Sequence, residues 1–264
     1  MNERMRILNL LEHGKINSDE AARLLEALSQ PQTRAKKVKA SIWSALENIP
    51  EVIALAISDS CKTSGKSSEI EETLEFPAKN KIEFKGISGD LILLGKDSDT
   101  IEIEKDGFVK VKEKGDVLEI KALSGDMKIT APHSTNFMVK GVSGDMDLSH
   151  LTGTIDIQSV SGDITGKELS GKFFGDFVSG DIDLQYEKVE AIEIKSKTSD
   201  IILRLDKKTQ AELDIKTKKG TIDCDFELKD EEKEELTLKG IINKTKAKIL
   251  ISSEYGDIAI KKRQ

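Results

Sequence analysis

Aromatic residues are scarce. One Trp, two Tyr and eight Phe stand among 264 residues, so a β-rich core here must be built from branched aliphatics. That suits thin stacked layers better than a deep globular interior. Long apolar runs are also missing: the longest, "IPEVIALAIS" at 49–58, is too short and too interrupted to cross a bilayer. Cysteine is limited to Cys61 and Cys224, and their distance in sequence and unlike surroundings favour two free thiols and a reducing compartment. Cys224 alternates with Ile222 and Phe226 and is expected to face inward on a strand. The segment "MNERMRILNLLEHGK" carries charges inside its apolar run and no small-residue cleavage site, so it does not read as a signal peptide. A cytoplasmic protein is the expectation.

Charge excludes another class. The net charge is -7; residues 1–70 are close to neutral, and the acidic excess lies after residue 70 with both signs interspersed. No continuous cationic track is available to a nucleic acid. Histidine occurs three times, with His13 ending a helix and His133 and His150 in turns. No Ser-His-Asp, Cys-His or metal-ligand spacing emerges.

What is present divides into three parts. Residues 1–30 predict a helical hairpin, with helices over 3–13 and 17–28. Ile7, Leu8, Leu10 and Leu11 form one stripe; Asn17 is placed as N-cap, Glu20 completes a capping box and Ile16 a staple. Such short helices need a partner, which makes them candidates for self-association or for docking another protein. Residues 31–70 read as a linker carrying a third helix, 42–57. Arg34, Lys36, Lys37 and Lys39 beside Trp43 would also suit a membrane surface, although a helix docked on the protein is the simpler reading.

Residues 71–264 are a repeat domain. Val-Ser-Gly-Asp occurs at 142–145, 160–163 and 178–181. The wider motif comprises Ser88-Gly89-Asp90, Ser124-Gly125-Asp126, Ser143-Gly144-Asp145, Ser161-Gly162-Asp163 and Ser179-Gly180-Asp181. Asp200 and Asp257 continue the series, "KKGTIDC" at 218–224 is a degenerate copy, and "EKDGFVKV" at 104–111 falls where a further copy is due. Each period of about 18 residues holds two alternating runs.

An antiparallel meander and a parallel coil both fit that pattern. The coil is preferred because apolar residues recur in columns: Leu91, Met127, Met146, Ile164, Ile182 and Ile201, then Leu93, Ile129, Leu148, Leu184 and Leu203. The expected fold is therefore mainly β: a right-handed single-stranded parallel β-helix of 18–20 residues per coil and roughly ten coils, near 50 Å long, after a small α-helical N-terminal module. Glycine permits the bend, while Ser and Asp can bond nearby backbone groups.

The helical "HGKINSDEAARLLEAL" followed by serial SGD strands resembles the bacterial DUF4097 family, whose members often carry an adhesin label. The resemblance implies a β-helix, an association of several relatives with cell-envelope stress, and no catalytic residues. Asp145, Asp163 and Asp181, stacked at one corner, are calcium candidates, since neighbouring carboxylates repel and calcium takes several oxygen ligands. The calcium-binding nonapeptide is absent, so turn capping is the expected role. A carbohydrate-active enzyme would need acids gathered in one departure from the repeat, with aromatic platforms, and neither is found. No cofactor is expected. "DEEKEE" at 230–235 reads as a solvated loop.

Overall fold

Alternation decides the local structure. In "KIEFKG" and "TIDIQS" Ile82, Phe84, Ile155, Ile157 and Ser159 are buried while the residues between them reach solvent, the period-two pattern of a half-buried strand. The computed structural model describes residues 72–263, all within one compact unit, Asn48–Gln264. The helices expected at 3–13, 17–28 and 42–57, the linkers, His13 and Cys61 lie outside the described residues. Those described are mainly β, without helices, and form one mixed sheet of 19 strands.

The first strands are β1 (Glu72–Pro77), β2 (Lys81–Gly86), β3 (Leu91–Lys96), β4 (Thr100–Lys105), β5 (Phe108–Lys114), β6 (Val117–Ser124) and β7 (Met127–Pro132). The middle holds β8 (Asn136–Gly141), β9 (Met146–Ser149), β10 (Thr154–Ser159), β11 (Ile164–Ser179), β12 (Ile182–Thr198) and β13 (Ile201–Leu205). The last are β14 (Ala211–Thr217), β15 (Ile222–Cys224), β16 (Leu228–Glu234), β17 (Thr237–Ile242), β18 (Ala247–Tyr255) and β19 (Ile258–Lys262).

Pairing arranges them in two ladders. The first runs β5-β6-β2-β8-β10, then the second halves of β11 and β12, then β18-β14-β17-β16. The second runs β1-β4-β7-β3-β9, then the first halves of β11 and β12, then β13-β19-β15. Copies of the repeat pair in parallel and in register, so Met146, Ile164, Ile182 and Ile201 are direct neighbours. Both expected columns are buried, every member at 5% exposure or less. The first ladder contributes an equivalent column, Leu118, Ile82, Phe137, Ile155, Phe173, Ile192, Ile249 and Leu213. Each such side chain contributes roughly 1.5–3 kcal/mol on burial, so the core is a sum over levels.

The order of the levels departs from chain order at both ends. β2 and β3 lie between β6-β7 and β8-β9, and β18 and β19 lie between β12-β13 and β14-β15. Eight levels are parallel rather than the ten expected; β1, β4 and β5 at one end and β16 and β17 at the other run antiparallel to their ladder neighbours or to one another. "EKDGFVKV" is thus no further parallel copy. Its Asp106 N–H bonds the Asp126 carbonyl at 3.0 Å, so it takes a place at the corner but is traversed in the reverse sense. "DEEKEE" is also corrected: most of it belongs to the exposed edge strand β16, not a loop. A charged edge strand discourages indiscriminate pairing of its open backbone.

Candidate functional site

The Ser-Gly-Asp corners gather in one line between the two ladders. In spatial order the aspartates are Asp126, Asp90, Asp145, Asp163, Asp181, Asp200 and Asp257. The N–H of each bonds Oδ1 of the one before: Asp90 to Asp126, Asp145 to Asp90 and Asp163 to Asp145 at 2.9 Å, Asp181 to Asp163 at 2.8 Å. Asp200 then bonds Asp181 at 3.1 Å and Asp257 bonds Asp200 at 2.8 Å. Thr221, in the degenerate copy, closes the line with its N–H and hydroxyl on Asp257 at 2.7 and 2.9 Å. In return, the residue after an aspartate donates to the next aspartate's carbonyl, as Met146 N–H does to Asp163 and Ile164 N–H to Asp181, both at 2.8 Å.

Serine adds a second line. The hydroxyls of Ser143, Ser161 and Ser179 donate to the carbonyls of Ile87, Val142 and Val160 at 3.2–3.3 Å, beside their own backbone N–H bonds to the same oxygens. Ser88 and Ser124 hold the matching motif positions in the two levels toward β5. Glycine is demanded twice over. Gly162 has φ +117°, and a Cβ there would sit 2.0 Å from the carbonyl oxygen of Gly144. Gly89, Gly125, Gly144 and Gly180 have the same sign of φ and the same backbone obstruction within about 2 Å. The corner is therefore too tight for a side chain, apart from Ser199 in the Thr198-Ser199-Asp200 copy.

Asp145, Asp163 and Asp181 are thus neighbours, each with one carboxylate oxygen committed to a backbone N–H, and all are exposed. Among the described residues, no group of three or more His, Cys, Asp or Glu is placed to hold a metal ion.

The other corner of each level carries no repeated residue. His133 and His150 do lie in turns there. His133 Nδ1 lies 2.5 Å from the His150 carbonyl oxygen, its Nε2 lies 3.5 Å from Asp97, and His150 Nε2 lies 2.9 Å from Glu168. Further along, Arg263 pairs with Glu187 at 2.8 Å, and both line an open depression with Asp206, Lys207 and Lys208. Each pair has at least one carboxylate that is half-exposed or more, so these ion pairs are screened and weak.

Titratable groups with altered affinity sit elsewhere. Burial pushes the carboxyl of Asp156 above its ordinary value against the pull of Lys140 and Lys81, and does the same to Asp176 against Lys195. Burial also raises the Cys224 thiol, half-buried on β15 and packed against the core as its alternation predicts. Tyr186 is fully buried, its hydroxyl unpartnered and its ionisation suppressed.

No curated protein matches the chain. Among solved structures it is similar to a proposed cell adhesion protein from Clostridium sporogenes ATCC 15579, at 12% identity and TM-score 0.44, covering 74% of this chain and 100% of that one. It is also similar to a proposed adhesin from Bacteroides fragilis NCTC 9343, at 17% identity and TM-score 0.33, over 74% and 98% of the two chains. A proposed adhesin from Parabacteroides distasonis ATCC 8503 aligns at 13% identity and TM-score 0.33, again over 74% and 98%. Residues 2–32 match the family model of the SHOCT-like domain. Residues 61–187 and 167–261 match the model named Toastrack DUF4097, which spans the whole column of Ser-Gly-Asp corners; the chain belongs to the Toastrack DUF4097 family.

Proposed function

We propose that this is a non-enzymatic binding or scaffold protein. Its repeat domain, wound as a right-handed single-stranded parallel β-helix, is a stiff spacer, and the N-terminal module, residues 1–30, makes the contact with a protein partner or a second copy. The observation that carries this reading is the use of the motif's polar atoms. The repeated Asp and Ser side chains bond the backbone of the adjoining level, so the most prominent chemical feature of the sequence is structural. A line of interlocked corners resists bending and suits a spacer. The match of residues 2–32 to a separate family model supports a two-part division. A role in the response of the bacterial cell envelope to stress is inferred from the resemblance of this layout to relatives with that association.

The test is sedimentation velocity on the full chain and on a chain beginning at Glu71, at about 0.3 M salt, where exposed charge pairs are screened. Association of the full chain alone supports the N-terminal module as an assembly element. Two monomers at every concentration would remove self-association from the reading and leave partner docking.

A further inference from the structure

The two outer strands of the first ladder differ in charge. At one edge β5, "FVKVKEK", pairs only with β6 among the described residues and carries three lysines against one glutamate, net +2. At the other edge β16, "LKDEEKE", pairs only with β17 and carries four acids against two lysines, net -2. Lys112, Glu113 and Lys114 are exposed, as are all β16 residues after Leu228. A charged edge repels a second copy of itself. It does not repel the opposite edge.

Direction and face also agree. β5 is antiparallel to β6 and so to the parallel body of the ladder, whereas β16, twice reversed through β17, runs with that body. A second copy stacked along the ladder therefore presents β5 antiparallel to β16. On β5, Val109 and Val111 pack toward the core, leaving Lys110, Lys112 and Lys114 on the outer side. On β16, Glu232 and Glu234 lie opposite Lys239 and Thr237 on the outer side, and Lys233 lies over buried Leu238. One register sets Lys112 opposite Glu232 and Lys110 opposite Glu234 while Val111 meets Lys233 on the inner side. All three pairs fall on matching faces.

We propose that this chain associates head to tail with further copies of itself through β5 of one and β16 of the next, continuing the first ladder across the junction. The contact is heterologous and does not close on a pair, so it propagates. The outer strands of the second ladder are both acidic, with Glu72 and Glu75 on β1 and Asp223 on β15. They add repulsion, keeping the contact confined to the first ladder and reversible. The two edges are formed by residues 108–114 and 228–234.

The test uses the full chain at low ionic strength, about 0.02 M, where exposed charges act over more than 20 Å. Sedimentation should show species growing beyond dimers with concentration and dissolving as salt rises. Lys112→Glu alone and Glu232→Lys alone should each weaken association by about tenfold or more, since each turns an attractive cross-strand pair into a repulsive one. The two changes in one chain should restore it, as should an equimolar mixture of the two single variants, whose edges are complementary. Circular dichroism confirms that each variant is folded. A chain monomeric at low salt overturns the proposal. So does association indifferent to salt or to both charge reversals, and that second result would still leave the N-terminal module as an assembly element.

Discussion

The two corners of each level bend the same chain by different means. At the Ser-Gly-Asp corner, backbone atoms of adjoining levels come so close that no Cβ fits, and carboxylates and hydroxyls bond the neighbouring main chain. At the opposite corner the turns differ from level to level, His150 and Glu168 take positive φ without being glycine, and the polar side chains pair across solvent. A contact made in every level must be made by the same residues, so the first corner repeats. A turn that only returns the chain need not. Repetition in this sequence therefore marks where levels touch.

The strongest way to break that comparison is to put a side chain into the tight corner. Gly162→Ala should cost about 3 kcal/mol or more, combining left-handed strain with overpacking against the Gly144 carbonyl. Gly115→Ala is the control: φ is +58° in the turn between β5 and β6, but nothing lies within 4 Å of the new methyl group. Strain alone predicts a loss of about 1–2 kcal/mol there. Urea unfolding of both variants measures the difference, and equal losses would mean that the corner's close stacking carries no weight.

A smaller effect separates hydrogen bonding from charge in the aspartate column. Asp163→Ala removes the acceptor for the Asp181 N–H and should cost about 1–2 kcal/mol. Asp163→Asn keeps an acceptor oxygen while removing a charge from a line of like charges, so it should cost less than half as much. Unfolding free energies in chelator-treated buffer decide the matter. If Asn were as damaging as Ala, charge, and with it a bound cation, would have to be part of the column's role.

The sequence made part of this legible. Period-two alternation and the columns of Leu91, Met146, Ile164 and Ile182 gave the strands, their faces and their register, because those depend on local pattern. The position of Asp163 at a corner was legible for the same reason. Spatial order was not. β2 and β3 could pair with any level offering an aliphatic face, and the doubled interval between Asp90 and Asp126 read as room for one more copy. The reversal of β4 and β5 at that interval, and of β17 near the other end, follows from the need to close a parallel stack with short turns. The second corner stayed invisible because its residues share a place but not an identity.

The smallest expected effect comes from a carboxylate away from the corner. Asp156 lies on the outer side of β10 between Met138 and Phe174 of adjoining strands, and burial raises its pKa in the fold while Lys140 and Lys81 oppose that shift. A raised folded-state value means that the folded chain holds the proton more tightly than the unfolded one. Its favourable contribution is then complete below the unfolded value, near 3.9, and is lost as pH rises through the folded value. At neutral pH the ionised group is a small liability, partly relieved by water and the two lysines. Asp156→Asn should therefore raise the melting temperature by about 1 °C at pH 7 and by nothing near pH 3. Asp163→Asn, at a carboxylate that the backbone holds, should give no such gain. Melting curves of the two variants across that pH range test whether the stack distinguishes a carboxylate it bonds from one it merely buries.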